Sequence, residues 1–263
     1  MKKYIKLYGK FVSQYLKFMM QSKVNFFIGF FGFLTTQATG IAFLYLVFQN
    51  IPSLNGWSYY EILFIYGFAQ LPRGIDHLFT DYIWMMGMRV VVRGEFDRYL
   101  LRPINPLFHL ISERFQPDAF GELAVGTVIT SIAAAKLGIK LSFGKIIIFL
   151  VLILAGAVIY TAIKLFFATL AFWIKNSLPI MNLVYSMSDF AKYPNSIYSK
   201  FVQGVITIII PFAFTAFIPA SYFTGKTSLA LALGGTVSVA IVSFSIAYAF
   251  WLYGIKSYES AGN

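Results

Sequence analysis

Hydrophobic positions in this chain come in long unbroken runs, with polar residues gathered between them. On a helical wheel Tyr4, Leu7, Tyr8, Phe11, Val12, Tyr15, Phe18 and Met19 share one face, while Lys3, Lys6, Lys10 and Lys17 cluster on another, so residues 1–23 predict an amphipathic helix lying in a membrane interface. No charged residue occurs between Lys23 and Glu61, and Val24 to Phe48 is long enough to cross about 30 Å of hydrocarbon. A turn at Asn50, Pro52, Asn55 and Gly56 holds no Lys or Arg, and Trp57, Tyr59 and Tyr60 supply an aromatic belt at the foot of the second span, about Glu61 to Met86.

The inner half of that second span carries Arg73, Asp76, His77 and Asp81. Charges at that depth face protein or water, so these four are candidates for a transport pathway or a dimer seam. Their spacing also allows a simpler role, mutual neutralisation along one helix at i, i+3 and i, i+4. Residues 87–117 form the most polar internal stretch, with Arg89, Arg93, Arg98, Arg102 and Arg114. A third span follows, about Ala119 to Leu137, with Asp118 placed to cap it and Glu122 near its positive end. The fourth runs from Lys145 to about Ile174, roughly 45 Å of helix. Lys164 lies toward its inner end, where snorkelling explains it more cheaply than a pore role.

Beyond Lys175 the pattern supports two readings. Hydropathy favours Phe201 to Phe223 as the fifth span despite Pro211 and Pro219. The alternative has Ser177 to Tyr193 crossing and residues 196–225 dipping back as a re-entrant hairpin broken at Pro211, which is tolerated where protein or water surrounds the backbone. Either way Ser228 to Tyr253 is the last span. Six lysines before residue 24, five arginines in 87–117, Lys175 and Lys256 then lie inside, against Lys136, Lys140, Lys145 and Lys226 outside. The expected fold is therefore an all-α membrane protein of six transmembrane helices, N-in and C-in, forming a single domain over 1–263.

Composition agrees with lipid as the main solvent. Of 263 residues 59% are hydrophobic and 12% charged, against about 25% charged in ordinary soluble domains. The net charge of +11 follows from the positive-inside bias, and 19% aromatics spread through apolar runs do not make a nucleic-acid groove. The absence of cysteine excludes disulfides, thiolate zinc sites and cysteine nucleophiles. His77 and His109 are the only histidines and have no metalloprotease spacing. Between Gly138 and Gly144-Lys145 the spacing is wrong for a phosphate loop, so no ATP site is expected on this chain and no catalytic residue, metal or cofactor is assigned to it.

The sharpest local signal is GEFDRYLLRPINPL, Gly94 to Leu107. Gly94 can open a two-turn helix with Glu95 and Asp97 in its first turn and Arg98 and Arg102 in its last, ended by Pro103. Phe96, Tyr99, Leu100 and Leu101 are many large apolar groups for so short a helix, and they call for docking on another surface or on lipid headgroups. Asn105 and Pro106 open a second amphipathic segment reaching Gln116.

These residues resemble the permease subunits of type-2 ATP-binding-cassette (ABC) exporters, and within that class the compact six-span ABC-2 family transporter proteins of bacteria with a GxxDxxLLRPxNPL loop. The match rests on Gly94, Asp97, Leu100, Leu101, Arg102, Pro103, Asn105, Pro106 and Leu107, and on Tyr193-Pro194, Ile197-Tyr198, Pro211-Phe212 and Pro219-Ala220. The resemblance implies a coupling helix over Gly94 to Pro103 seated in separate ATPase subunits that bind ATP and Mg, and an elbow helix at the N-terminus. It also implies a re-entrant hairpin before the last span, a second permease copy or related permease, and a bacterial cell membrane. It favours outward transport of a hydrophobic or amphipathic cargo. Two rival classes remain at this stage: an intramembrane enzyme using Asp76, His77 and Asp81, and an ATP-independent carrier or channel.

Overall fold

A computed structural model describes residues 7–13, 23–140 and 142–259, with side chains of the first long helix from Phe31 onward. It is all-helical, without a strand among the described residues. Residues 7–13 form α1; the rest of the expected 1–23 interfacial helix lies outside the described residues. The long helices are α2 (Lys23–Asn50), α3 (Tyr59–Thr80), α7 (Phe120–Lys136), α8 (Phe143–Thr169) and α13 (Thr236–Lys256). Short helices link them: α4 (Ile83–Met85), α5 (Asp97–Leu100), α6 (Pro106–Ser112), α9 (Ala171–Ile174), α10 (Leu178–Ser186), α11 (Lys200–Gly204) and α12 (Phe217–Phe223).

Four stretches are long and apolar enough to cross a membrane: Phe31–Asn50, Pro117–Lys136, Phe143–Ile174 and Ala230–Lys256. A fifth, Lys200–Ile209 with Phe212–Phe223, is bent by 74°. Pro211 lacks the N–H that a straight helix would use there, so the uninterrupted Phe201–Phe223 helix favoured by hydropathy does not form.

The charged second span falls below that apolar standard yet is the innermost helix. Every residue of α3 from Ile62 to Pro72 is buried, between α7 on one side and α8 on the other. Its start is set by Glu61, which accepts a hydrogen bond from the Ser58 backbone N–H at 2.8 Å in a capping box. Small residues let its neighbours close in: a Cβ on Gly67 would stand 2.7 Å from the Thr130 backbone nitrogen of α7, and one on Gly156 of α8 would stand 2.9 Å from Pro72. By contrast α2 stands on the bundle's flank, with Phe43 and Leu46 each 62% exposed. Its polar tie to the bundle is the Tyr66 hydroxyl donating to Gln37 at 2.7 Å.

Asp118 does not cap the third span. It lies in a 3-10 turn, Pro117–Ala119, ahead of α7 and faces His77 at 3.6 Å, because that ion pair competes for the carboxylate.

The chain beyond α9 is pinned at both ends of the bundle. The Ser177 N–H donates to Gly87 O (3.0 Å), at the end where the 87–117 loop emerges. From there α10 continues into a 3-10 helix, Met187–Lys192, and reaches Ser196, whose carbonyl accepts from Asn55 Nδ2 (2.9 Å) at the opposite end. After the bent pair, Lys226 Nζ donates to Gly56 O (2.6 Å) and pairs with Glu61 (3.0 Å), again at the Asn55 end.

Candidate functional site

The polar stretch 87–117 resolves into a short, firmly anchored projection. Gly94 adopts a left-handed φ of 66°, which interrupts any right-handed helix passing through it, and the helix α5 begins only at Asp97. The expected two-turn helix is thus a single turn, with Glu95 outside it and tied to Arg89 at 3.2 Å. Asn105 caps α6, accepting from the Phe108 N–H at 3.0 Å, with Pro106 in the first turn where its missing N–H costs nothing.

The four apolar residues of α5 and its flanks divide into two kinds. Phe96 and Tyr99 are fully buried in the chain's own core, whereas Leu100 is 43% and Leu101 84% exposed. Phe96 sits among Phe172, Trp251 and Tyr258, with ring centroids 5.0, 5.7 and 5.1 Å away, which joins the loop to α9, α13 and the tail beyond it. From Gly94 to Pro103 the exposed residues are the two leucines with Arg98, Arg102 and Pro103. Docking area from Phe96 and Tyr99 is therefore not available; burial has made them the anchor.

Glu113 holds the base of this projection. Arg98 pairs with it at 2.7 Å, and the Tyr99 hydroxyl donates to the same carboxylate. Burial, reinforced by the Glu113 bond, pushes the Tyr99 phenol well above its ordinary range. Burial opposes the Arg98 charge, but Tyr99 and Glu113 outweigh it and raise the guanidinium further. His109 is buried with Nε2 3.0 Å from Arg102 Nη1; burial first, then that cation, lowers its pKa. Sequence spacing offered no sign of Glu113, because its partners lie fourteen and fifteen residues away.

Arg73, Asp76, His77 and Asp81 enter a second constellation in which most partners come from other segments, while Thr80 on Asp76 and the i, i+4 pair of His77 with Asp81 are local to α3 and its C-terminal cap. Asp76 is fully enclosed. Its Oδ2 takes Lys164 Nζ at 2.7 Å and the Tyr185 hydroxyl at 3.1 Å, and its Oδ1 takes the hydroxyls of Thr80 at 2.6 Å and Thr161 at 2.9 Å. Three hydroxyls and the Lys164 ammonium thus surround the carboxylate. Lys164 is also 3.6 Å from Asp81. With no exposure of its side chain, Lys164 does not snorkel: the nearer, stronger partner is Asp76 inside the bundle.

His77 meets Glu122 at 3.0 Å, Asp118 at 3.6 Å and Asp81 at 4.0 Å. Arg73 pairs with Asp189 at 3.1 Å, and Lys192 reaches the same oxygen at 2.7 Å. By hydropathy Asp189 and Lys192 make 177–193 a poor membrane segment. That anomaly was the available signal, since charges in an apolar setting require partners.

Long apolar helices around an internally neutralised ionic seam, with an anchored polar loop at one end, define a multi-pass membrane protein. A family model described as ABC-2 family transporter protein matches residues 34–262, and the chain belongs to that family as an ABC-2 type permease. Permeases of this family work with ABC ATPase subunits, and the chain is a transporter membrane subunit. Comparison with curated proteins and with solved structures gave no match.

Proposed function

We propose that this chain is the permease of an ATP-driven exporter in a bacterial cell membrane, moving a hydrophobic or amphipathic substrate outward. Two copies, or one copy and a related permease, line the route, and separate ATPase subunits bind ATP and Mg. The observation that carries this reading is the division of labour in the loop. Phe96 and Tyr99 root α5 in the core beside α9 and α13, while Leu100 and Leu101 point outward, as a handle seated in a partner's cleft requires. Gly94 and Pro103 bound the handle; Glu95, Asp97, Arg98 and Arg102 set its orientation.

Six crossings with both termini inside, in one domain over 1–263, complete the reading. The fifth is 177–193: nine α-helical residues and six in 3-10 geometry span about 25 Å, because the 3-10 rise is about 2.0 Å per residue. Ser196 and Lys226 both meet the Asn55–Glu61 region, so the intervening 196–225 leaves and returns on one side, as a re-entrant hairpin does. An elbow helix over 1–23 and a coupling loop over 87–117 lie on the other side. The Asp76 carboxylate is enclosed and already engaged by three hydroxyls and Lys164, which disfavours an intramembrane enzyme acting through it.

The test is Leu100→Asp with Leu101→Asp. Both side chains are exposed, so the permease is expected to remain folded and monodisperse while its co-expressed ATPase subunits no longer co-purify. An intact complex with unchanged ATP turnover would overturn the assignment.

A further inference from the structure

The ionic seam is enclosed at its centre and open at two places, one at Asp189 and the other around His77, where Asp118 is 41% and Asp81 26% exposed. Asp76 and Lys164 have no exposed side-chain surface, whereas the Asp189 side chain is 61% exposed, Arg73 28% and Lys192 15%. Arg73 lies roughly 21 Å along α3 from Tyr59 and about 10 Å from Thr80, so this open charge sits at hydrocarbon depth. Ionisable groups at that depth face protein or a water-filled cavity, not lipid.

Charge and donor balance at the Asp189 opening favour one kind of ligand. A guanidinium has five N–H donors and an ammonium three. Here Arg73 Nη1 and Lys192 Nζ converge on a single oxygen, Asp189 Oδ1, and among the described residues no other carboxylate lies within 4.0 Å of either cation. Two cations thus share one carboxylate. Elsewhere in the seam the ratio is reversed, with three carboxylates around His77. The Arg73 guanidinium also lies 5.5 Å from the Tyr185 ring centroid. The 187–192 helix packs against the 205–209 turn of the hairpin, where Ile208 and Ile209 are 80% and 72% exposed.

We propose that Arg73 and Lys192 form a seat for the anionic headgroup, phosphate or carboxylate, of an amphipathic substrate, and that Asp189 is the resident occupant which that headgroup displaces. The hydrocarbon part lies along Ile208 and Ile209. The word substrate rests on the export reading; the seat itself is a binding property of the permease and is measurable without ATPase subunits. Each bond from a cation to the incoming anion is charge-assisted, and its loss is expected to weaken binding about tenfold.

The experiment uses full-length permease in phosphatidylcholine nanodiscs, with empty discs as the partition control, and measures equilibrium binding of radiolabelled dodecyl phosphate, inorganic phosphate and dodecyltrimethylammonium. Dodecyl phosphate is expected to bind at least tenfold more tightly than either of the others, roughly the effect of one charge-assisted contact. Arg73→Gln and Lys192→Gln are expected each to weaken it about tenfold, and Asp189→Asn to tighten it several-fold by removing the competing carboxylate. The opposite sign for Asp189→Asn separates a seat from a merely structural cluster, in which all three variants would lose binding together. That common loss, a preference for the cationic amphipath or for free phosphate, or binding indifferent to all three substitutions and so held by the lysine-rich start of the chain, would each overturn the proposal. Co-purification of ATPase subunits reports on the export reading separately.

Discussion

Lys164→Met tests the energetics of the ionic seam most directly. The substitution keeps the length of the side chain and removes its charge, leaving Asp76 without its cationic partner in a site without solvent exposure. Breaking a buried pair by deleting one partner costs about 3–5 kcal/mol, mostly the penalty of the charge left behind. Here three hydroxyl donors remain on Asp76, from Thr80, Thr161 and Tyr185, which places the expected loss near the lower end, about 3 kcal/mol. For a chain of this size each kcal/mol moves the melting temperature by roughly 2–4 °C, giving a fall of about 6–12 °C. Intrinsic tryptophan fluorescence during a thermal ramp of the purified protein measures it. Lys164→Met combined with Asp76→Leu removes both charges and is expected to recover at least half of the loss, because paired removal leaves no orphan ion. A single variant melting within about 1 °C of wild type, or a double variant as unstable as the single, would refute the view that the pair is a desolvated, mutually dependent unit.

Two further outcomes follow from the packing and from the buried histidine. Gly67→Ala forces a Cβ to within 2.7 Å of the Thr130 backbone, and overpacking of this kind is expected to destabilise the protein by about 1–3 kcal/mol in the same melting assay, whereas Gly144→Ala, with open space around it, is expected to cause no loss. His109 is held below its ordinary pKa in the fold, so the unfolded chain binds the extra proton first; the stability it contributes is present above about pH 6.5 and is lost as pH falls through the lowered folded value. His109→Gln is therefore expected to flatten the acid limb of a melting-temperature profile between about pH 7 and pH 4, and an unchanged limb would show that another group governs it.

The 94–107 segment was legible as a motif but not as an object. GEFDRYLLRPINPL marks a short element with too many apolar groups, yet one-dimensional spacing cannot say which of them face inward. That depended on Phe172 and Trp251, more than seventy residues away in sequence, closing over Phe96. The same gap explains the helix start: Gly94 suits either a helix opening or a left-handed turn, and only its place in the folded loop selected the latter.

Hydropathy and charge bias determined, without coordinates, that the chain is helical, that lipid is its solvent, and where its long apolar helices begin and end, because burying an unpaired backbone or an excess of apolar surface admits few other solutions. They also marked α3 as a helix whose charges need protection. Tertiary structure decided most of what protects them: Lys164, Asp189, Glu122 and Asp118 reach α3 from separate segments, 41 residues or more away in sequence, and ion pairing depends on distances of a few ångström that no local pattern encodes. It likewise decided that the bent 200–223 pair begins and ends near one turn, since hydropathy measures how apolar a segment is and carries no record of which end of the bundle its termini touch.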